Sequence, residues 1–324
     1  MTMRLPTVRL LAALALALAW GAVSAQYPAR PVKVVVPATA GDGSDVLARA
    51  LTRVLAESMS TSFVIENRPG AGGSIGADAV AKAAPDGYTL FLGNGSSHGV
   101  TPGLYPRLPY DSIADFSPVA LISTAANVLV VGAQVPVATY AEFARLAREQ
   151  PGRVSIASAG NGSLSHLSVE LLRSMARLDL LHVPYKGAAP GVADVAGGQV
   201  QSMIINIPSV MPLVKAGKLK ALAATSAKRP VSPPEVPTLA ESGVAGYETL
   251  AWFGLLAPAK TAPEIVSTLH REVVKALARP ELRETLARTG SEPSGLAPSE
   301  FMTFIKSEIA KYGKVIREAG IKVE

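Results

Sequence analysis

Two stretches of this chain carry residue types that can hold an anion. In V-V-V-P-A-T-A-G-D-G-S-D-V-L-A, Val34 to Ala48, an apolar run gives way to small residues and then to Asp45 ahead of Val46, Leu47 and Ala48. The pattern predicts a strand, a turn and a helix N-terminus. Backbone N–H groups and the positive end of a helix dipole converge at such a junction, and Gly41 and Gly43 admit a ligand close to the main chain. Val154 to His166 repeats the arrangement: Val154-Ser155-Ile156-Ala157 leads into S-A-G-N-G-S-L-S-H at Ser158 to His166. This second junction suits a helix-start anion site, and equally a plain N-terminal cap with a packed histidine.

Other chemistry fits less well. Ser163 and His166 invite a hydrolase reading, yet there is no G-x-S-x-G elbow, and triads do not place the base three residues after the nucleophile on one helix face. An exported serine hydrolase using this pair is the enzymatic alternative. The glycines of G-A-G-G-S-I-G, Gly70 to Gly76, approximate a dinucleotide fingerprint, but Glu66 to Pro69 separate them from the strand and no acidic residue follows at the required distance. A tight turn with close helix packing is expected there, and no cofactor. His98, His166, His182 and His270 include no i, i+4 pair and no nearby carboxylate cluster, so no metal site is expected.

Two further places are candidate contacts. N-G-S-S-H at Asn94 to His98 closes the strand Tyr88 to Leu92, where open α/β sheets bind ligands, although a polar loop without a role reads the same way. Tyr185 and Lys186 in H-V-P-Y-K-G stand at another strand end, where a solvated lysine is the plain alternative.

The elements that must position these residues alternate between strand and helix. Phe63 to Ile65, Tyr88 to Leu92, Val128 to Val131, Leu180 to Val183, Gln201 to Ile205, Leu219 to Ala224 and Trp252 to Ala257 read as strands. Tyr140 to Glu149, Pro263 to Ala278, Pro280 to Arg288 and Pro298 to Ala319 read as helices, the last three opened by proline. The fold class is therefore α/β, a mostly parallel sheet covered on both faces. About 300 mature residues exceed what one core usually covers, so two domains are expected. The crossings fall near Ser123 to Asn127 and Glu248 to Trp252, giving one lobe of residues 26–125 and 251–324 and another of 126–250.

Arg4 and Arg9, the apolar run Leu10 to Trp20 and the small residues Val23-Ser24-Ala25 form a signal peptide, with cleavage expected after Ala25 and export to the periplasm. The apolar run is shorter than the roughly 20 residues of a spanning helix. The absence of cysteine removes disulfides and thiolate metal sites. Formal charge is +6, or +4 once Arg4 and Arg9 leave with the signal, and the basic residues form no run. Nucleic acid is not an expected partner, whereas a mild positive field favours small anions.

Seven motifs together resemble the Bug-type solute receptors of tripartite tricarboxylate transporters. They are P-x-x-x-G-x-x-S-D at Pro37 to Asp45, E-N-R-P-G-A-G-G at Glu66 to Gly73, P-D-G-Y-T-L at Pro85 to Leu90, the Ser158 to His166 stretch, H-V-P-Y-K-G at His182 to Gly187, V-P-T-x-x-E at Val236 to Glu241 and W-F-G-L-L-A-P at Trp252 to Pro258. The resemblance implies a type II periplasmic-binding fold, with two α/β lobes that close around a small carboxylated solute. It further implies contacts from Thr39, Ala40, Gly41, Asp42 and Ser44 on one lobe and from Gly160, Asn161, Gly162 and Ser163 on the other, partly through water. Asn94, Ser96, His166 and Tyr185 complete the candidate set. The expected protein is a monomeric receptor, not an enzyme, that hands its solute to separate membrane subunits. A sensor for a membrane signalling partner is the remaining alternative. Asp42 departs from the family pattern, where a second glycine is usual, and a carboxylate there would oppose an acidic ligand unless it turned to solvent or met an amine.

Overall fold

The computed structural model describes residues 27–231 and 233–322. The expected signal peptide and its cleavage point lie outside the described residues.

In V-K-V-V-V the strand β1 (Val32–Val36) buries Val32, Val34, Val35 and Val36, as a parallel strand covered on both faces must. Its helix α1 (Gly43–Met59) returns the chain to β2 (Phe63–Asn67). After a one-turn 3-10 segment at Ala71–Gly73, α2 (Ser74–Ala81) leads to β3 (Thr89–Asn94). Both neighbours of β1 run parallel to it. A π-helical turn, Gly95–Val100, and the short helix α3 (Thr101–Leu104) precede β4 (Phe116–Gly132).

The strand β4 organises the molecule. Through Ala126 it pairs antiparallel with β9 (Leu250–Pro258), which in turn flanks β3; from Asn127 it pairs with β7 (Ser202–Asn206) and β8 (Leu219–Ala224). One strand thus belongs to two half-sheets. Between β4 and β7 the chain makes α4 (Tyr140–Glu149), β5 (Ser155–Ser158), α5 (Leu164–Ala176), β6 (Leu181–Pro184) and α6 (Ala188–Gly197), with β5 parallel to both β6 and β7. Helix α7 (Ile207–Lys215) joins β7 to β8. After β9 come α8 (Pro263–Leu277), α9 (Pro280–Arg288), β10 (Ser291–Leu296) and α10 (Pro298–Glu318).

Each half has apolar clusters on its sheet faces. Val34, Leu51, Leu90, Leu255 and Leu269 belong to the first half, and Leu129, Phe143, Ile156, Leu172 and Ile204 to the second. A smaller cluster joins the halves: Val100 and Leu104 meet Leu167 of α5 and Tyr312 and Ile316 of α10. Among the described residues no helix is long and apolar enough to cross a membrane.

Two strands depart from expectation for physical reasons. The segment read as Val128 to Val131 is the end of the longer β4, whose first part holds only the short apolar run Val119 to Ile122, set between Ser117-Pro118 and Ser123-Thr124. The strand β10, S-E-P-S-G-L, has no alternation at all; it forms by antiparallel pairing along β4, with an irregularity between Pro293 and Leu296.

Candidate functional site

The turn after β3 is the first wall of the site. Asn94 ends the strand in extended conformation and caps the turn: its Oδ1 accepts the Ser97 N–H at 3.0 Å, and the Asn94 N–H reaches the Ser97 hydroxyl at 3.1 Å. The polar run N-G-S-S-H then divides. Ser97 and His98 face inward and are fully buried, with 3.0 Å between the Ser97 hydroxyl and His98 Nδ1. Burial lowers the His98 pKa to about 3, so the imidazole is neutral. Ser96 remains half-buried and lines a pocket. The turn can lie this close to the core because Gly95 and Gly99 carry no side chain: a Cβ on either would stand 3.4 Å from Trp252 or Tyr312.

The loop Ser158 to Ser163 is the opposing wall. Gly160 and Gly162 adopt φ of +123° and +74°, in the region that favours glycine. Ser163 is the N-cap of α5, its hydroxyl accepting the His166 N–H at 3.1 Å, while the Gly162 N–H donates to His166 Nδ1 at 3.1 Å. The His166 proton is thereby assigned to Nε2, which lies 3.7 Å from Glu170 Oε1. His166 stacks on His182 with centroids 4.1 Å apart, and His182 Nε2 meets the Ser158 hydroxyl at 2.7 Å. Burial and the neighbouring His166 lower the His182 pKa to about 4. The histidines therefore fix the loop. The Ser163 hydroxyl meets the His166 backbone N–H and not its imidazole, whose Nδ1 is taken by the Gly162 N–H, so Ser163 and His166 do not form a nucleophile–base pair.

The histidine reading overlooks Glu170, four residues after His166. Ligand atoms of His166, Glu170 and His182 lie within 4.8 Å of one another. Parallel rings aim their in-plane lone pairs side by side and not at one point, and Arg173 grips both Glu170 oxygens at 2.8 and 3.0 Å. That geometry is a packed, internally bonded cluster.

The two walls enclose a cavity of about 220 Å³ lined by Gly72, Ser96, Val100 and Thr101 on one side and Asn161, Gly162 and Ser163 on the other, with Leu104 and Tyr105 beneath. Among the described residues no lysine or arginine lines it. Its donors are neutral, and among the described residues the N–H groups of Asn161, Leu164 and Ser165 have no protein acceptor at this helix start. Sequence reasoning missed Gly72, Thr101 and Tyr105. Gly72 has φ +65° beside the buried Gly73, where a Cβ would come within 3.0 Å of Ser97 and 3.1 Å of Pro37. A tight turn and close packing are what these glycines provide.

The loop after β1 starts at Pro37, adjacent to that wall, but Thr39, Ala40, Gly41, Asp42 and Ser44 do not line the cavity; all but Ser44 are exposed. The N–H groups here are less available than the sequence suggested. Asp42 caps α1 by accepting the Ser44 N–H at 2.9 Å, and Asp45 Oδ2 accepts the Gly41 N–H at 2.9 Å. Asp45 is buried and also takes Arg49 Nε and Asn67 Nδ2, each at 2.9 Å. The Arg49 bond leads the causes that lower its pKa to about 2. Tyr185 is likewise committed: its hydroxyl donates to Asp194 at 2.6 Å, and its carbonyl lies where a Gly160 Cβ would approach to 3.0 Å. Burial is the main cause raising the phenol pKa to about 12.

A two-half α/β molecule with a small, neutral-donor pocket has the form of a solute-binding receptor. The tripartite tricarboxylate transporter family receptor pattern matches residues 47–321, and the chain belongs to that family. It is 36% identical to protein BugT of Bordetella pertussis over 322 residues, covering 98% of this chain and 99% of that one. Among solved structures it resembles R. palustris Rpa4515 with adipate at 40% identity and a TM-score of 0.77, covering 91% of this chain and 99% of that one. It also resembles MatC from Rhodopseudomonas palustris with bound malate, at 35% identity and a TM-score of 0.72, covering 90% of this chain and 100% of that one. The fold is that of periplasmic solute-binding proteins, and the protein is a receptor and not an enzyme.

Proposed function

We propose that the cavity between Ser96 and the Asn161–Ser163 loop holds a small dicarboxylate, with residues 26–125 and 251–324 acting as one lobe and 126–250 as the other. The observation that carries this reading is the lining itself, which comes from both halves of the sheet across the β4 crossing. A volume of about 220 Å³ lies below the roughly 300–1,000 Å³ of drug-sized sites and suits a small metabolite. Neutral hydrogen bonds, the α5 dipole and bridging water would hold the acid groups. The adipate and malate of the two similar structures are ligands of that kind. Thr39 to Ser44 form the rim that meets the ligand on closure, with Gly160 and His166 behind the loop and Asn94 and Tyr185 supporting the walls. The mature protein acts as a monomer in the periplasm after cleavage following Ala25, and delivers its solute to the membrane subunits of a tripartite transporter.

A thermal-shift screen of the mature protein over dicarboxylates, amino acids and aromatic acids tests the ligand class, since a ligand that binds only the folded state raises stability by mass action. Dicarboxylates are expected to give the largest shifts. Shifts confined to amino acids or aromatic acids would contradict it.

The Asp42 charge can be isolated. Asp42→Asn keeps an oxygen for the Ser44 N–H, so stability should change by less than about 0.5 kcal/mol. Removing a negative charge about 4 Å from an acid group is worth about 1 kcal/mol in water. Calorimetry should therefore show dicarboxylate binding tightened about fivefold, with a smaller gain at high salt. Equal affinities would place Asp42 out of range of the ligand.

A further inference from the structure

A second cavity, of about 430 Å³, shares no lining residue with the first among the described residues. Ile207, Pro208 and Met211 of α7, with Val231, form its apolar side, all from the second half of the molecule. Arg283 and Arg288 of α9 face them from the first half. The halves touch at its edge, where Gly290, at φ +63°, leaves no room for a side chain: a Cβ would stand 2.5 Å from Pro208 Cγ. Ala126, the last β4 residue paired with β9, also lines it.

The two arginines are the unusual feature. Arg283 Nε donates to the Leu277 carbonyl at 3.3 Å and Arg288 to the Thr285 hydroxyl at 3.2 Å; among the described residues neither guanidinium meets a carboxylate. Glu292 also lines the cavity, and its carboxylate accepts the Val231 N–H at 3.2 Å. Val231 itself is 76% exposed, an apolar side chain without cover. An apolar wall facing two carboxylate-free guanidinium forks is complementary to one kind of molecule.

We propose that this cavity is a second ligand site, for a small amphipathic monocarboxylate whose hydrocarbon body lies on Ile207, Pro208, Met211 and Val231 and whose acid group is taken by Arg283 and Arg288. Its walls come from both halves beside the strand crossing, so occupancy is coupled to the relative position of the halves. By reciprocity, a ligand here shifts affinity at the first pocket by the same factor that the first ligand shifts this one.

The test uses octanoate as probe, titrated calorimetrically into the full mature chain. One saturable event is expected at millimolar concentration or tighter, about −4 kcal/mol at 1 mM. The double variant Arg283→Gln/Arg288→Gln should weaken it about tenfold or more and leave adipate binding in the first pocket intact. Ala287→Trp, which fills the cavity while keeping both arginines in the chain, should abolish it, and octan-1-ol should bind wild type about tenfold more weakly than octanoate. Four results would overturn the site: no saturable heat at about 10 mM octanoate, octanoate binding retained in both variants, octan-1-ol matching octanoate, or octanoate displaced competitively by adipate.

Discussion

Asp45→Ala is expected to cost about 2–4 kcal/mol of stability and to weaken dicarboxylate binding in the same protein. The carboxylate is 2% exposed and is the common acceptor for the Gly41 N–H, Arg49 Nε and Asn67 Nδ2. Deleting it leaves three donors without their acceptor, and the loop from Thr39 to Ser44 loses the bond that ties Gly41 to α1. Asn67 would keep only its bond to the Ala38 carbonyl at 3.0 Å. Asp45→Asn is the sharper comparison, because it keeps the shape and one acceptor while losing the charge facing Arg49. Its cost should be smaller, about 1–2 kcal/mol. Urea denaturation reads both values, and equal stability of wild type and Asp45→Ala would show that Asp45 does not hold the loop.

The same group predicts a pH dependence. Its pKa falls from the ordinary 3.8 to about 2 on folding, chiefly through the Arg49 bond. A depressed carboxyl pKa contributes stability that is complete above the unfolded value and is lost as the group protonates in the fold. Wild type should therefore lose this contribution between about pH 4 and pH 2, and Asp45→Asn should lose correspondingly less over that window. Identical acid transitions in the two proteins would assign the acid sensitivity to other carboxylates.

Gly162→Val should remove dicarboxylate binding by at least about a hundredfold, or about 2.7 kcal/mol. Gly162 lines the first pocket and adopts φ +74°, where a β-branched residue is strongly disfavoured. The substitution forces the loop either to carry strain of about 1–3 kcal/mol or to flip out of the left-handed region, breaking the bond from the Gly162 N–H to His166 Nδ1. Either route disturbs the Asn161–Ser163 wall. The fold should survive, since β5 and the helix α5 are held by Ile156, Leu167 and Leu172, all fully buried. Calorimetry and a thermal melt on the same sample separate the effects, and retained affinity would mean that the loop does not contact the ligand.

Much of the fold was legible because its signals are local. The apolar run of Val34 to Val36, the prolines that open α8, α9 and α10, and the glycine-rich ends of β1 and β5 each specify an element without help from distant residues. The strands that were misread depend on a partner. Ser291 to Leu296 is extended only because β4 lies beside it, and the first part of β4 carries polar residues because Ser123 and Thr124 sit where the strand crosses between halves.

The site divides in the same way. Ser96, Asn161, Gly162 and Ser163 line one cavity, whereas the Thr39 to Ser44 loop, which the two helix-start patterns paired with Gly160 to Ser163, does not line it. Gly72, Thr101 and Tyr105 join them through a π-helical turn that no short-range spacing announces. Side-chain direction was the other missing information: nothing in N-G-S-S-H distinguishes Ser96, which lines the pocket, from Ser97, which is buried. Nor could the sequence reveal that Asp42 and Asp45 turn back on their own loop and occupy the N–H groups of Ser44 and Gly41.

The most direct test of the pocket is a calorimetric titration of adipate and malate into the mature wild-type protein and into Ser96→Trp, whose indole would fill a cavity of about 220 Å³ from the wall opposite Gly162. One saturable site is expected in wild type and no detectable binding in the folded variant. Equal affinity for both acids in wild type and Ser96→Trp would contradict it.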